Sequence, residues 1–264
     1  MSDMTTRNAG TKALVTGGAQ GIGLAVATQL AAEGCKALAL VGRSEEKGAA
    51  AVATLEKFGA EAIFISADVS RTEDCGRAVE TALKRFGALN ALVNAAATSA
   101  RGSLTDTTPE LFDRIFATNV RGPFFMMQGL VRHLLETGKP GAIVNVLSMS
   151  AHAGQSFLTP YSASKGALAI VTKNAAASYR RDRIRVNAVL PGWMDTPGEA
   201  IVQRDFHNAG PDWLEKAEAA QPMGQLVKPD QLAVLIAYML SPQAGVMTGA
   251  LVDYDQNVAG VVGE

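Results

Sequence analysis

Short apolar runs and longer amphipathic stretches take turns along this chain. Runs rich in Ala, Val, Leu and Ile predict strands over 12–16, 37–41, 62–66, 91–94, 142–147, 185–190 and 250–253. Between them, apolar residues recur at helical spacing over 21–33, 45–58, 72–86, 109–136, 161–180 and 229–240. Strands so short and so uniformly apolar suit a sheet covered on both faces, because a one-sided strand shows every second residue to water. Alternation of this kind predicts an α/β fold, a doubly wound, mainly parallel seven-stranded sheet with helices on both faces. No Pro- or Ser-rich linker divides the chain and no repeat recurs in it. Residues 11–264 therefore read as one domain, preceded by a polar, loose tail over 1–10. The longest connection, 192–225, carries Trp193, Phe206 and Trp213 among several charges. It reads as a substrate lid, with a loose surface excursion as the alternative.

Composition narrows the class. A chain of 264 residues, 48% of them hydrophobic, is long enough for one large buried core. A net charge of −1 offers no basic footprint for nucleic acid. No apolar run approaches the roughly 18 residues needed to span a bilayer, and 1–10 lacks the apolar core of a signal peptide, so we expect a cytoplasmic protein. Cys35 and Cys75 stand in no metal-ligand spacing and read as reduced thiols. No His, Cys or Asp cluster suggests a metal, so the expected chemistry is metal-independent.

Two motifs carry chemistry. After the first strand comes Gly17-Gly18-Ala19-Gln20-Gly21-Ile22-Gly23, leading into a helical run. Strand, glycine turn and helix start form a pyrophosphate seat, in which backbone N–H groups and the helix dipole meet the anion. Far along the chain, Tyr161 and Lys165 stand four apart on one helix face. A free phenol has a pKa of about 10 and is a poor base at neutral pH, and a neighbouring ammonium is expected to lower it. Ser148, at the end of the fifth strand, sits where ligands gather in an open parallel sheet, beyond the carboxyl ends of the strands. Asn94 and Gly192 end neighbouring strands there. A tyrosine acid/base with a serine to hold the substrate oxygen suits the interconversion of an alcohol and a ketone with hydride transfer to a nicotinamide.

Thr16-Gly-Gly-Ala-Gln-Gly-Ile-Gly23, then Asn94-Ala-Ala, then Tyr161-x-x-x-Lys165 resembles the short-chain dehydrogenase/reductase family in its compact, single-domain, Rossmann-like branch. The likeness runs over roughly residues 8–255 and includes Asp68-Val69, Asn119 and Ser148, with Pro191, Gly192 and Thr196 after the sixth strand. It implies Asn119, Ser148, Tyr161 and Lys165 as catalytic residues. Lys165 would also hold the nicotinamide ribose, and Asn119 a water linking Lys165 to solvent. The implied cofactor contacts are Gly17, Gln20, Gly21, Ile22, Gly23, Arg43, Asp68, Val69, Asn94, Tyr161, Lys165, Pro191, Gly192 and Thr196. Asp68 would meet the adenine by its side chain and Val69 by its backbone; the alternative for Asp68 is a helix cap near Thr72.

At the end of the second strand, Gly42 occupies the place of the acid that selects NAD, and Arg43 follows. A guanidinium can take a 2′-phosphate, so NADP(H) is favoured over NAD(H), although Gln20 stands where many NADP users of the family carry a basic residue. The chain departs from the family at Ala96, where a glycine is usual, and at Asp253-Tyr254-Asp255-Gln256, where Asp-Gly-Gly is usual. The second departure reads either as a locally different loop or as an altered subunit contact or extra wall of a neighbour's pocket. Ser150, His152, Gln155 and Trp193 are candidate substrate contacts and suggest a hydroxylated small molecule such as a sugar or polyol. His152 reads as a pocket-edge residue. Two alternatives stay open. One is a 3-oxoacyl thioester reductase using Arg101 and Arg121 against an acidic carrier; the other is a non-catalytic NADP(H)-binding regulator. Helices 109–136 and 161–180 are apolar on more than one face, which together with the family's habits points to a homotetramer, with a homodimer as the alternative.

Overall fold

The structure, a computed structural model, describes residues 4–260. All seven expected strands form: β1 Lys12–Thr16, β2 Ala37–Gly42, β3 Glu61–Ser66, β4 Ala91–Asn94, β5 Gly141–Val146, β6 Ile184–Pro191 and β7 Leu251–Tyr254. They make one sheet in the order β3-β2-β1-β4-β5-β6-β7, and every pairing is parallel. The order reverses between β1 and β4, which opens a crevice at the carboxyl ends of both. Two buried clusters cover the two faces. One contains Leu14, Val41, Ile143, Leu168 and Val186; the other contains Val15, Leu40, Val93, Val144 and Ile236. Alternate residues of a single strand, such as Leu14 and Val15, therefore feed opposite layers, which is why these strands read as unbroken apolar runs.

Helices α1 Gly21–Ala32, α2 Glu45–Glu56 and α3 Thr72–Phe86 follow the first three strands. The stretch 109–136, expected as one helix, is interrupted: α4 covers Pro109–Phe116 and α5 Gly122–Thr137, with a π turn at Ala117–Arg121 between them. Pro123 explains the break. It has no N–H to give to the carbonyl four residues back, which belongs to Asn119, and the ladder widens so that the Gly122 N–H bonds Ala117 O instead. Helix α6 spans Thr159–Tyr179 and α9 spans Pro229–Leu240. The expected lid is not irregular: it holds α7 Pro197–His207 and α8 Trp213–Ala219.

The N-terminal stretch is docked rather than loose from Arg7 onward. Arg7 pairs with Glu33 at the end of α1, and both side chains are about 5% exposed (6% and 5%). Asn8, fully buried, donates to Glu33 Oε2 at 2.6 Å and to Ala237 O at 3.1 Å. Gln29 donates to the other carboxylate oxygen at 2.7 Å. A buried carboxylate has to be paired and hydrogen-bonded, and the chain ahead of β1 supplies most of those partners here. The segment so fixes the start of β1 against α1 and α9. Close to Ala237, Arg185 donates to the carbonyls of Met239, Leu240 and Ser241 and so closes the C-terminal end of α9.

Candidate active site

The glycine turn between β1 and α1 is shaped by close approach. Gly17 has φ +66°, and a Cβ there would lie 3.0 Å from the Ala96 nitrogen; a Cβ on Gly23 would stand 2.3 Å from Gly17 O. Gln20 is the N-cap of α1 but makes no side-chain capping bond, so the first amides of the helix, near Gly21 and Ile22, are left to a ligand. Thr16 joins the turn to the loop after β4: its hydroxyl oxygen accepts from the amides of Ala95 and Ala96 at 3.1 and 3.2 Å. Ala96 does not lie at positive φ, so the missing glycine leaves no backbone strain here.

Ser148 leaves β5 at the same end of the sheet. Its Oγ accepts from the Ser150 amide at 3.2 Å and the Ser150 hydroxyl at 3.0 Å, which leaves its own proton free to give. Ser148 acts on the Tyr161 phenol by favouring its ionised form. Tyr161 stands in the first turn of α6 and keeps part of its surface open to the cleft although protein surrounds the ring. One turn on, Lys165 is 2% exposed, donates to Val146 O at 2.8 Å, and holds its Nζ 5.6 Å from the centre of the Tyr161 ring.

Electrostatics correct one expectation. Burial pushes the phenol of Tyr161 up, against the opposing effects of the Ser148 hydrogen bond and the Arg101 charge, while Glu199 adds to the rise. Lys165 does not act as the expected depressor. Its own pKa is pulled down to about 8, by burial alone. The resting site thus holds a protonated phenol beside a lysine that titrates near neutrality.

Asn119 sits in the π turn. Its side chain accepts from the Thr98 amide and donates to Thr98 O, both at 2.9 Å, and donates to Ser164 Oγ at 3.0 Å. Ser164 in turn donates to Tyr161 O at 2.6 Å, so Asn119 ties the loop after β4 to the turn of α6 that carries the tyrosine. Asn94 donates to Asn145 Oδ1 at 2.8 Å, and Asn145 donates on to Thr172 Oγ1 at 2.9 Å, while Asn94 Oδ1 is buried with no partner. Asp68, half-buried at the end of β3, uses one oxygen to accept from the Ser70 amide at 2.9 Å; the cap position of α3 belongs to Arg71, not to Asp68. Val69 is buried beside Gly122, whose Cβ would meet Val69 O at 2.6 Å.

Gly192 leaves Pro191 with its amide bonded to Tyr254 O at 3.0 Å, and Thr196 caps α7 by accepting from the Glu199 amide at 3.1 Å. Thr196 also faces the glycine turn, 4.0 Å from where a Cβ on Gly21 would stand. The unusual C-terminal segment bonds within its own chain. Asp253 meets His152 Nε2 at 2.9 Å, and Gln256 accepts from the Met223 amide and donates to Gln225 O, each at 2.7 Å. Of the substrate candidates, Ser150 is half-buried beside Ser148, His152 is held at the pocket edge by Asp253, Trp193 donates to Glu199 Oε1 at 2.9 Å, and Gln155 is exposed. Arg121 points away, donating to Ser70 O at 2.7 Å on the outer face.

Lys47 was not foreseen. From α2 it reaches back to donate to Gln20 Oε1 at 2.7 Å, so a cation does stand at the glycine turn, supplied by the next helix and not by residue 20. Only its place one turn past Arg43 hinted at this. The donor set suits a nicotinamide dinucleotide: free helix-start amides and glycines for the pyrophosphate, Arg43 and Lys47 beside the second strand, and Lys165 with N–H groups to spare at the other end.

Comparison with known proteins agrees. A family model described as enoyl-(acyl carrier protein) reductase matches residues 17–256. The chain belongs to the short-chain dehydrogenase/reductase family. An uncharacterized oxidoreductase of Thermotoga maritima is 36% identical over 243 residues, 92% of this chain and 94% of that protein. The L-rhamnose 1-dehydrogenase (NAD(P)(+)) of Azotobacter vinelandii is 34% identical over 243 residues, 90% of this chain and 92% of its own. Among solved structures, a single-substitution variant of actinorhodin polyketide ketoreductase with NADPH superposes with a TM-score of 0.86 at 30% identity, over 93% of this chain and 96% of the other. The protein is thus a dehydrogenase/reductase of this family, acting on CH–OH groups.

The burial of Lys165 makes a pH prediction. Its folded pKa, about 8, lies below the ordinary 10.5, so between those values the unfolded chain binds more protons and stability rises with pH. Below pH 8 the burial penalty is present in full, on the order of 3 kcal/mol at about 1.4 kcal/mol per tenfold. Lys165→Met should therefore gain stability over the wild type most at pH 7 and lose that advantage by about pH 10. Urea unfolding at both pH values checks this; an unchanging difference contradicts it.

Proposed function

We propose that the protein interconverts a secondary alcohol and a ketone by hydride transfer, with Tyr161 as the general acid/base. The observation that carries this reading is the convergence of Ser148, Tyr161 and Lys165 at the carboxyl end of β5, beside the Gly17–Gly23 turn. When bound, the nicotinamide supplies the hydride acceptor or donor. Ser148 gives a hydrogen bond to the substrate oxygen, and the protonated Tyr161 gives its proton to the forming alkoxide in reduction; in oxidation it takes the hydroxyl proton once its own has passed to solvent. Lys165 would hold the ribose hydroxyls. Asn119 would hold a water that connects Lys165 to solvent. A non-catalytic regulator would have no need of this set, and all four residues are present.

The cofactor we propose is NADP(H). Arg43 follows the second strand and Lys47 reaches Gln20 at the glycine turn, two cations that support a 2′-phosphate, and no carboxylate at residue 42 opposes it. The solved relative with NADPH supports this, while the rhamnose enzyme's name allows both forms. The half-buried, hydroxyl-bearing cleft of Ser148, Ser150, His152 and Trp193, closed by α7 and α8 as a lid, favours a small hydroxylated substrate. A 3-oxoacyl thioester on an acidic carrier has less support, because Arg121 is engaged with Ser70 O. Reduced, buried Cys35 and Cys75 fit a cytoplasmic protein.

A homotetramer is the assembly we favour. Phe112 and Phe116 stack at 4.5 Å on α4, and Phe112, Phe124 and Ile170 are 43%, 45% and 59% exposed, while Ile115, Met126 and Met127 serve the protein's own core. Such aromatic surface on adjoining helices suits a twofold contact.

Three outcomes test these readings. Tyr161→Phe should reduce kcat by at least a thousandfold and leave dinucleotide binding within about twofold, by stopped-flow and fluorescence titration; near-normal kcat between pH 6 and 10 would falsify the mechanism. Arg43→Ala and Lys47→Ala should each raise KM for NADPH about tenfold while moving KM for NADH little; a wild type that prefers NADH tenfold overturns the cofactor reading. Light scattering should give four times the 27.5 kDa chain mass. Phe124→Glu should lower that mass, and a stable wild-type monomer at micromolar concentration sinks the assembly.

A further inference from the structure

Arg101 has no part in the chemistry described so far, yet its charge acts on Tyr161. It lies on the loop after β4, and that loop is pinned to the start of α6. The Gly102 amide bonds Phe157 O at 2.9 Å and the Thr159 amide bonds Gly102 O at 3.0 Å. A Cβ on Gly102 would come within 2.5 Å of Thr107 Oγ1, so the pinned loop has no slack at the residue beside Arg101. Two residues beyond Thr159 is Tyr161. The guanidinium is therefore placed relative to the acid/base by a rigid, short path.

Its surroundings are incomplete. One terminal nitrogen donates to Ser99 O at 2.9 Å, and the other stands 3.5 Å from His207 Nε2 on the lid helix α7. The plane lies 5.6 Å from the Phe157 ring centre, and Phe157 meets His207 edge-on at 5.9 Å. The Nε atom is buried and has no hydrogen-bond partner. Among the described residues, no carboxylate comes within ion-pair distance of Arg101. Glu199, the acid that also acts on Tyr161, is committed elsewhere: its Oε1 accepts from both Trp193 Nε1 and Gln203 Nε2, at 2.9 and 2.7 Å.

A cation with a buried, unpartnered donor and no counter-ion is costly unless something else completes it. Guanidinium suits a planar anion that can take two parallel N–H bonds, and stacking on Phe157 fixes its plane. We propose that Arg101 anchors a carboxylate of the substrate, so that the preferred substrate is a hydroxy acid or the corresponding oxo acid. This rests on the alcohol/ketone reading above. One molecule would then span the cleft, its hydroxyl carbon at Tyr161 and Ser148 and its carboxylate at Arg101, with His207 and Phe157 closing over the anion from the lid side.

The test compares acids with neutral partners of the same skeleton: lactate and mandelate against their methyl esters, and gluconate against sorbitol. In the wild type, at least one acid should exceed its neutral partner tenfold or more in kcat/KM, through KM. Arg101→Gln should cut that acid-to-neutral ratio at least tenfold, and Arg101→Lys, which keeps the charge but loses the fork, should restore part of it. Reading a ratio removes any shared effect of Arg101 on the Tyr161 phenol, and unchanged dinucleotide binding shows that the variants are folded. Turnover of the neutral alcohols with no acid preference, or a ratio unmoved by Arg101→Gln, overturns the anchor and leaves the proposed activity standing. No turnover of any alcohol or ketone with bound NADP overturns both.

Discussion

The arrangement of the active end rests on one ammonium kept in the interior. Lys165 is almost fully buried, and a single carbonyl, that of Val146, holds it. Among the described residues no carboxylate pairs with it. Transfer of a charge from water to a protein interior is strongly unfavourable, and the fold answers by lowering the lysine's proton affinity, not by neutralising it with an acid. An acid partner would have held the ammonium charged. Lys165 instead stands beside Tyr161 with the Val146 carbonyl as its hydrogen-bond partner and its pKa pulled down to about 8.

Holding such a group demands stiff surroundings, and amide side chains provide them. Asn94, Asn145 and Thr172 form a buried chain of hydrogen bonds from β4 through β5 to α6. Asn119 clamps the Thr98 backbone on both of its polar groups and then reaches Ser164. These contacts are neutral, so burying them costs far less than burying a charge, although Asn94 Oδ1 is left without a partner. They fix α6, which carries both Tyr161 and Lys165, against the strand that carries Ser148. The π turn belongs to the same device: it carries Asn119 and lies just ahead of Pro123, which cannot donate to the Asn119 carbonyl.

A second layer of contacts works on the rim. Lys228 bonds Asp195 at 2.8 Å and Glu218 at 2.5 Å, joining the first residues of the lid to α8, and Gln256 closes the lid's far end. A Cβ on Gly192 would overlap the Asp255 carboxylate at 2.1 Å, so the two segments press directly together. The C-terminal residues thus act on the base of the lid through Asp255 and Gln256, and on His152 through Asp253.

The sequence by itself determined the layer architecture, since unbroken apolar strands alternating with helices have only one economical packing. It also picked out the glycine turn and the Tyr161/Lys165 pair that the fold gathers at one end of the sheet, because glycine spacing and that interval are local properties of a turn and of one helix face. Strand positions read from the pattern came within a residue or so of those observed. One misreading was local, the break that Pro123 makes in the stretch 109–136; the others were not. Lys47 lies one turn into the next helix, and only the fold of α2 against the glycine turn brings it to Gln20. The docking of Arg7 and Asn8 depends on a carboxylate twenty-five residues away from Asn8, whose burial no local pattern reveals. Most of all, the protonation of the site was decided by tertiary structure. Charge proximity along the helix argued for a lowered phenol, but the packing that excludes water raises it, and desolvation depends on what surrounds a group in space and not on its neighbours in the chain.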